Sequence, residues 1–222
     1  MLTDSDRRKI ADAVAAAEQA SAGEIVTIIT PQSDTYRDVG LAWAITLAFV
    51  ALAALELAPA FYLSLIDRAF GLWGHAWKPQ AVLGIALSAA VIALATMGLL
   101  MEWRPLRLLL TPAPIKTSRV HARALTCFRV GAQARTTGHT GILIYLSMAE
   151  HRAEIIADEA IASKVTPEVW GDAMHALLTE IRKGQVGDGM VAAIRKVGAV
   201  LAEHLPRAAD DQNELPDRVI EV

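Results

Sequence analysis

Two long apolar runs stand out against an otherwise mixed pattern of hydrophobic and polar positions. The run 81–101 contains no charged residue over 21 positions, and about 20 apolar residues are enough to cross the hydrocarbon core of a bilayer. An earlier run, 39–66, contains Glu56 and Pro59. Because an acid inside the bilayer costs about 3 kcal/mol, the predicted span stops near it, at 39–57. The pattern predicts a transmembrane hairpin over residues 39–103.

The distribution of Lys and Arg predicts the orientation of this hairpin. Only Arg68 and Lys78 lie between the two spans, whereas several basic residues flank them: Arg37, Arg104, Arg107, Lys116 and Arg119. Segments rich in Lys and Arg stay on the cytoplasmic side. Tryptophans near the ends of the spans fit headgroup anchors: Trp43, Trp73, Trp77 and Trp103. We therefore expect a multi-pass integral protein of the cell membrane with both termini in the cytoplasm.

Shorter periodic segments on both sides of the hairpin predict one α/β domain in two parts, 1–38 and 116–206. The first part reads as a capped helix, 4–21, and a β-branched strand, 24–30. The second part predicts a proline-rich linker, a helix over 116–135 and strands at 141–147 and 153–157. Two further helices follow, one that starts at Thr166 and Pro167 and one that starts at Asp188. Neither part alone could bury its apolar faces, so we expect a small sheet flanked by helices. The polar tail, 207–222, is expected to be disordered.

Composition excludes several classes of function. The net charge is −3, whereas nucleic-acid binding usually requires a concentrated basic face, so no nucleic-acid partner is expected. The single cysteine, Cys127, cannot form an internal disulfide and has no partner for a zinc site of the usual spacing. These features are typical of a protein whose soluble part lies in a reducing compartment.

The segment 137–158, TGHTGILIYLSMAEHRAEIIAD, resembles the TPM domain, in which a "GvLi" strand leads to a turn with an arginine and a second strand ending at Gly or Asp. The resemblance extends through Trp170 and the turn 184–190, and it includes the first helix and strand. It implies an α/β sandwich, and it implies photosystem repair, acid phosphatase activity or divalent-metal binding in some members. The hairpin inserted within the domain departs from the usual form, in which a membrane anchor precedes or follows the domain.

Four acids follow predicted strand ends, where α/β domains often place their sites: Asp34, Asp38, Asp158 and Glu159. Calcium and magnesium prefer carboxylate oxygens, so convergence of these acids would give a metal site, with Asp158 as the candidate catalytic residue. Helix capping and solvation are the alternative explanation for each acid. The turn 184–189 lacks the Lys-Ser/Thr of a P-loop, and Ser147 and Cys127 are interpreted as packed residues.

Two hypotheses for function follow. In the first, a cytoplasm-facing interaction or assembly module is held at the bilayer by its own hairpin, without a cofactor, and binds another membrane protein or a second copy of itself. In the second, the protein is a divalent-metal-dependent phosphatase that uses calcium or magnesium. Whether the protein is an enzyme stays open at this point. Transport is a weaker alternative, since two helices with one acid offer no polar pathway unless the protein oligomerises.

Overall fold

The computed structural model describes residues 2–71, 76–133, 140–166, 168–207 and 218–222. The chain divides into unit 1, which comprises Met1–Asp34 and Ala113–Val222, and unit 2, Thr35–Pro112. The helices of the described chain are α1 (Asp4–Glu18), α2 (Arg37–Leu57), α3 (Pro59–Phe70), α4 (Pro79–Glu102), α5 (Arg104–Leu110), α6 (Ala113–Phe128), α7 (Glu159–Ala162), α8 (Val169–Arg182) and α9 (Val186–His204). The strands are β1 (Glu24–Thr30), β2 (Gly141–Ser147), β3 (Arg152–Ala157) and β4 (Ile220–Glu221).

The strands of unit 1 form one mixed sheet in the order β3-β2-β1-β4. β1 and β2 are parallel, with Glu24 opposite Gly141 and Thr30 opposite Ser147, and β3 returns antiparallel beside β2. Both β1 and β2 are buried along their whole length, which explains their continuous apolar and β-branched sequences. The predicted strands at 24–30 and 141–147 and the hairpin between β2 and β3 are confirmed.

Helices cover both faces of this sheet, as the α/β sandwich prediction requires. On one face, α1, α8 and α9 bury a large core that includes Ile10, Leu177 and Ile194. On the other face, α6 packs on the sheet through three buried side chains, Val120, Ala124 and Phe128. Alternate residues of each strand pack against opposite helical layers, because successive side chains of a strand point in opposite directions.

The first helix begins as its sequence predicts. The backbone N–H of Asp6 donates to the Thr3 hydroxyl at 3.1 Å, and the Thr3 backbone N–H donates to the Asp6 carboxylate at 3.1 Å. This capping box satisfies donors that the first turn of a helix leaves unpaired. α1 then ends at Glu18, three residues earlier than predicted.

The prediction of a disordered tail over 207–222 is wrong at its end. Residues 208–217 lie outside the described residues, but Ile220–Glu221 forms β4 and pairs in parallel with β1 at Ile28. The Val222 N–H also donates to the Ile29 carbonyl at 3.2 Å. The cause is the edge of β1, whose backbone groups need a partner that the polar composition of the tail does not reveal.

Several helix boundaries also differ from the prediction. The expected proline-rich linker contains α5, which carries a proline in its first turn, and α6 begins at Ala113 instead of 116. Proline is tolerated in the first turn of a helix because the N–H it lacks would be unpaired there in any case. α9 begins at Val186, so Asp188 lies in its first turn and is not the cap. α8 begins at Val169, and the predicted Pro167 start lies outside the described residues.

Unit 2 is built on α2 and α4, which pack against each other. Both helices are long and apolar enough to cross a membrane. Gly40 of α2 allows this packing, because a Cβ there would lie 3.1 Å from the Met101 Cβ. The indole N–H of Trp43 donates to the Leu110 carbonyl at 3.1 Å, so this ring is held by protein contacts, whereas Trp73 lies outside the described residues.

Candidate functional site

The carboxyl ends of the parallel strands β1 and β2 carry a group of polar side chains, of which Ser33 is partly buried and the others are buried. This carboxyl-end cluster consists of Ser33, Tyr145, Ser147 and Glu150. Tyr145 and Ser147 have no exposed surface, and Glu150 is also buried. Tyr145 and Ser147 share a face of β2 because they are two positions apart, and the loop after β1 brings Ser33 to the same edge of the sheet.

A continuous chain of hydrogen bonds joins the four residues. The Ser33 hydroxyl lies 2.9 Å from the Tyr145 hydroxyl and donates to the Ser147 hydroxyl at 2.8 Å. Ser147 in turn donates to one carboxylate oxygen of Glu150, and the Ser33 backbone N–H donates to the other oxygen at 3.1 Å. Glu150 therefore ties the loop after β1 to the turn after β2, because its two oxygens accept from both segments.

Burial raises the pKa of Tyr145, and its hydrogen bond with Ser33 opposes this rise. The phenol therefore keeps its proton at neutral pH and remains able to donate within the cluster. Ser147 and Glu150 have the form of a nucleophile beside a base. However, a hydroxyl without exposed surface cannot reach a substrate, so this geometry supports a structural role for Ser147, in agreement with its interpretation as a packed residue.

Charged side chains lie around the cluster on the α6 side of the sheet. A guanidinium nitrogen of Arg119 lies 3.3 Å from an Asp34 carboxylate oxygen. His121 of α6 lies 3.3 Å from Glu154 of β3. These pairs are partly exposed and contribute little to stability, but they place Asp34, one of the four predicted metal ligands, beside a fixed cation.

Within unit 1, the structure does not bring the predicted acids Asp34 and Asp158 together. The Asp158 N–H donates to the Gly141 carbonyl at 2.9 Å, which places Asp158 beside the amino end of β2, whereas Asp34 follows the carboxyl end of β1. A strand of this length spans about 20 Å, so these two acids occupy opposite ends of the sheet. Glu159 lies next to Asp158 at the start of α7, and Asp38 lies in the first turn of α2 in unit 2. Across the residues that the structure describes, no group of three or more His, Cys, Asp or Glu could hold a metal ion.

The environment of Cys127 also fits a packed residue. Burial raises the pKa of its thiol, and the positive charge of Arg123 opposes this rise. A thiol with a raised pKa is a weak nucleophile at neutral pH, since the thiolate is the reactive form.

Sequence reasoning missed the carboxyl-end cluster because its members look unremarkable one by one. A serine after a strand, a tyrosine within a strand and a glutamate in a turn each have ordinary local explanations. The usable signal was the i, i+2 spacing of Tyr145 and Ser147 at the end of a strand, followed by an acid at position 150. That signal becomes specific only once β1 is known to lie beside β2 in parallel.

Comparison with known proteins agrees with this architecture. The family model described as the TPM domain matches residues 115–200. Among solved structures, the chain is similar to the BA42 protein from the psychrophilic bacterium Bizionia argentinensis, with a TM-score of 0.57 and 18% identity over 100% of this chain and 96% of that one. At this identity the likeness shows the fold alone. No curated protein sequence matches the chain. The match to the TPM domain model covers β2, β3 and most of the helices around them, as the resemblance of this part of the chain to that domain predicts.

Proposed function

We propose that this protein is a membrane-anchored TPM-domain protein, in which α2 and α4 cross the bilayer as a hairpin and hold unit 1 at the cytoplasmic face. Unit 1 acts there as an interaction module for another membrane protein. The observation that carries the proposal is the surface of α4, because no part of its most apolar 18-residue window is buried.

Exposure on this scale favours a lipid environment over water. Leu83 and Leu87 of α4 are 70% and 67% exposed, and Leu99 is 74% exposed. Removing a side chain of this kind from water is worth about 1.5–3 kcal/mol. α9 of unit 1 behaves differently, since one whole face of it is buried in the core. The core helix of a soluble protein resembles α9, whereas a helix that packs on one partner and otherwise faces lipid resembles α4.

The orientation rests on the distribution of basic residues given above. Arg68 and Lys78 are the basic side chains in the connection 58–78, while the helices that follow α4 carry Arg104, Arg107 and Lys116. The positive-inside rule then assigns unit 1 to the cytoplasm. This agrees with a single free cysteine in unit 1, because cytoplasmic thiols stay reduced.

The role as an interaction module rests on what the candidate site offers. The Ser147 hydroxyl of the carboxyl-end cluster has no exposed surface, and the cluster connects two loops, which suits a rigid surface more than a reaction centre. The alternative, a divalent-metal-dependent phosphatase, gains no support from the geometry, since Asp34 and Asp158 lie at opposite ends of the sheet.

Cysteine labelling tests the anchor and its orientation. In a Cys127→Ser background, Arg68→Cys and Ser163→Cys each introduce one exposed thiol, the first in the connection between α2 and α4 and the second in unit 1. A membrane-impermeant maleimide added to intact cells should label only Arg68→Cys, and Ser163→Cys should react after permeabilisation. Extraction of the protein by alkaline carbonate would contradict the anchor, and labelling of Ser163→Cys in intact cells would contradict the orientation.

A second experiment separates the module from the enzyme. The detergent-solubilised full chain is titrated with calcium and magnesium and assayed for hydrolysis of a phosphate ester, with wild type and Asp158→Asn side by side. The module predicts neither saturable metal binding nor turnover. Binding and hydrolysis that both fall in Asp158→Asn would replace it with the phosphatase.

A further inference from the structure

The connection between α2 and α4 contains the amphipathic helix α3, which no core covers. We propose that α3 is an interfacial helix that binds the bilayer along the boundary between headgroups and acyl chains, in the leaflet opposite the cytoplasm. This inference rests on the proposed function, because it requires the α2–α4 hairpin to cross the membrane.

The residues of α3 divide into faces of different polarity. Tyr62, Ile66 and Phe70 recur every four positions, which places them on one ridge of the helix. Phe70 is 76% exposed, and Tyr62 and Ile66 are partly exposed. The polar side chains of the helix lie away from that ridge: Ser64, Asp67 and Arg68. A helix with one apolar face and one polar face suits the plane of a membrane interface.

Nothing within the described part of the protein buries α3, since none of its residues is buried. The helix has 12 residues and a length of about 18 Å at 1.5 Å per residue. Its apolar ridge is therefore left uncovered by the described residues. Leu57, at the end of α2, is 85% exposed and extends this apolar surface directly onto the proposed membrane span.

The length of the connection is a second argument. α2 and α4 pack against each other, and antiparallel neighbouring helices need only about 2–8 connecting residues. The chain instead uses positions 58–78, which is far more than closure of the hairpin requires. A short amphipathic helix inserted where a tight turn would suffice indicates a role of its own.

Local geometry turns α3 away from the direction of α2. Ala58, between the two helices, has φ −140° and ψ 56°, and Pro59 starts the new helix. Gly71 ends α3 with a left-handed φ of 70°, a conformation that glycine adopts without strain. α3 is therefore a separate helix and not a continuation of the α2 span.

The polar side of α3 is held by the returning chain. The indole N–H of Trp77 lies 3.4 Å from an Asp67 carboxylate oxygen, just before α4 begins. Trp and Arg are side chains that suit headgroup depth, and Arg68 stands in the last turn of α3. These contacts keep the polar side at the water boundary and leave the ridge toward lipid.

Depth-dependent fluorescence quenching tests the proposal on the full chain. In a Cys127→Ser background, the environment-sensitive dye NBD is attached at Ile66→Cys on the ridge, at Ser64→Cys away from it, and at Val91→Cys in α4. The proteins are reconstituted in phosphatidylcholine vesicles that contain lipids with a nitroxide quencher either near the headgroup or near the bilayer centre. Iodide serves as the aqueous quencher.

We expect NBD at position 66 to emit at shorter wavelength than at position 64 and to lose more intensity with the shallow lipid quencher than with the deep one. At position 64 iodide should quench more than either lipid. Equal exposure of both positions to iodide would overturn the proposal. Stronger deep quenching at both positions would make α3 part of a span, and protection of position 66 from all three quenchers would assign the ridge to a second copy of the chain.

Position 91 separates this inference from the function on which it rests. Strong deep quenching at position 91 with an aqueous position 66 would refute the interfacial helix and leave the membrane anchor intact. If position 91 were also quenched only by iodide, the anchor itself would fail.

Discussion

Replacement of Glu150 by alanine should destabilise unit 1 without affecting the apolar helices of unit 2. The carboxylate accepts one hydrogen bond from the Ser33 backbone and one from the Ser147 hydroxyl. Its removal leaves the Ser147 hydroxyl, which has no exposed surface, without its acceptor. The loop after β1 also loses its connection to the turn after β2.

The magnitude follows from these two bonds. A hydrogen bond to a charged group contributes about 1.5–3 kcal/mol, so the loss of both would cost about 3–6 kcal/mol. Removal of a buried carboxylate also removes its desolvation cost, which offsets part of this loss. We therefore expect the free energy of unfolding to fall by about 2–4 kcal/mol. With a urea dependence near 2 kcal/mol per molar, the midpoint should fall by about 1–2 M.

Unfolding can be followed by the labelling of Cys127. This residue is the single cysteine of the chain, and it packs against the core beneath α6. The full chain in detergent is equilibrated at increasing urea and exposed to a short maleimide pulse, and the labelled fraction gives the unfolding midpoint. Glu203→Ala is the matched control, since Glu203 is an exposed glutamate on α9. A midpoint shift for Glu150→Ala no larger than that of Glu203→Ala would refute the stabilising role of the cluster.

Three further predictions also concern the urea midpoint, and the two that depend on pH are followed by circular dichroism because maleimide labelling requires the thiolate. Hydrogen bonds from Thr3 lower the pKa of Asp6. This carboxylate therefore stabilises the fold above its unfolded pKa of about 4, and its contribution disappears as pH falls through the lower folded value. The stability difference between wild type and Asp6→Asn should be present at neutral pH and vanish in acid. Burial raises the pKa of Tyr145, so the contribution of this phenol to stability should be lost as pH rises above the unfolded value of about 10. Tyr145→Phe should therefore lose less stability than wild type over that range. A Cβ on Gly198 would lie 2.6 Å from an alanine Cβ of α1, whereas a Cβ on Gly171 would meet nothing within 4 Å. Gly198→Ala should therefore lower the free energy of unfolding by about 1–3 kcal/mol, whereas Gly171→Ala should leave it unchanged or raise it by up to about 1 kcal/mol. Equal urea midpoints for the two variants would contradict the close approach of α1 and α9.

Local sequence predicted the elements whose causes are local. The capping box at Thr3 and the continuous apolar runs of β1 and β2 each carry their own signal. β4 does not, because two residues near a polar segment become a strand only where the edge of β1 offers backbone partners. The helix α3 was missed because the predicted span stopped near the acid Glu56 and no element was predicted directly after it, although a proline such as Pro59 often starts a helix.

The candidate site was harder to predict for a topological reason. Asp34 and Asp158 both follow strands, and that rule places them at the same edge only when the strands are parallel. β3 runs antiparallel to β2, so Asp158 lies at the other end of the sheet. Ser33 and Glu150 meet because β1 and β2 are parallel and in register. This pairing joins segments more than 100 residues apart, so neither segment's own sequence predicts it.

The pairing of β1 with β2 also determines how late the sheet can form while the protein is being synthesised. About 110 residues separate the end of β1 from the start of β2, and ribosomes add about 5–20 residues per second. The first strand therefore waits on the order of 5–20 s with both apolar faces uncovered before its neighbour exists. During that interval α2 to α4 emerge, so early capture of these helices by the membrane would hold the nascent β1 close to where β2 arrives and shorten the loop that must close. Chaperone dependence of the newly made chain should accordingly be greatest when membrane insertion is blocked.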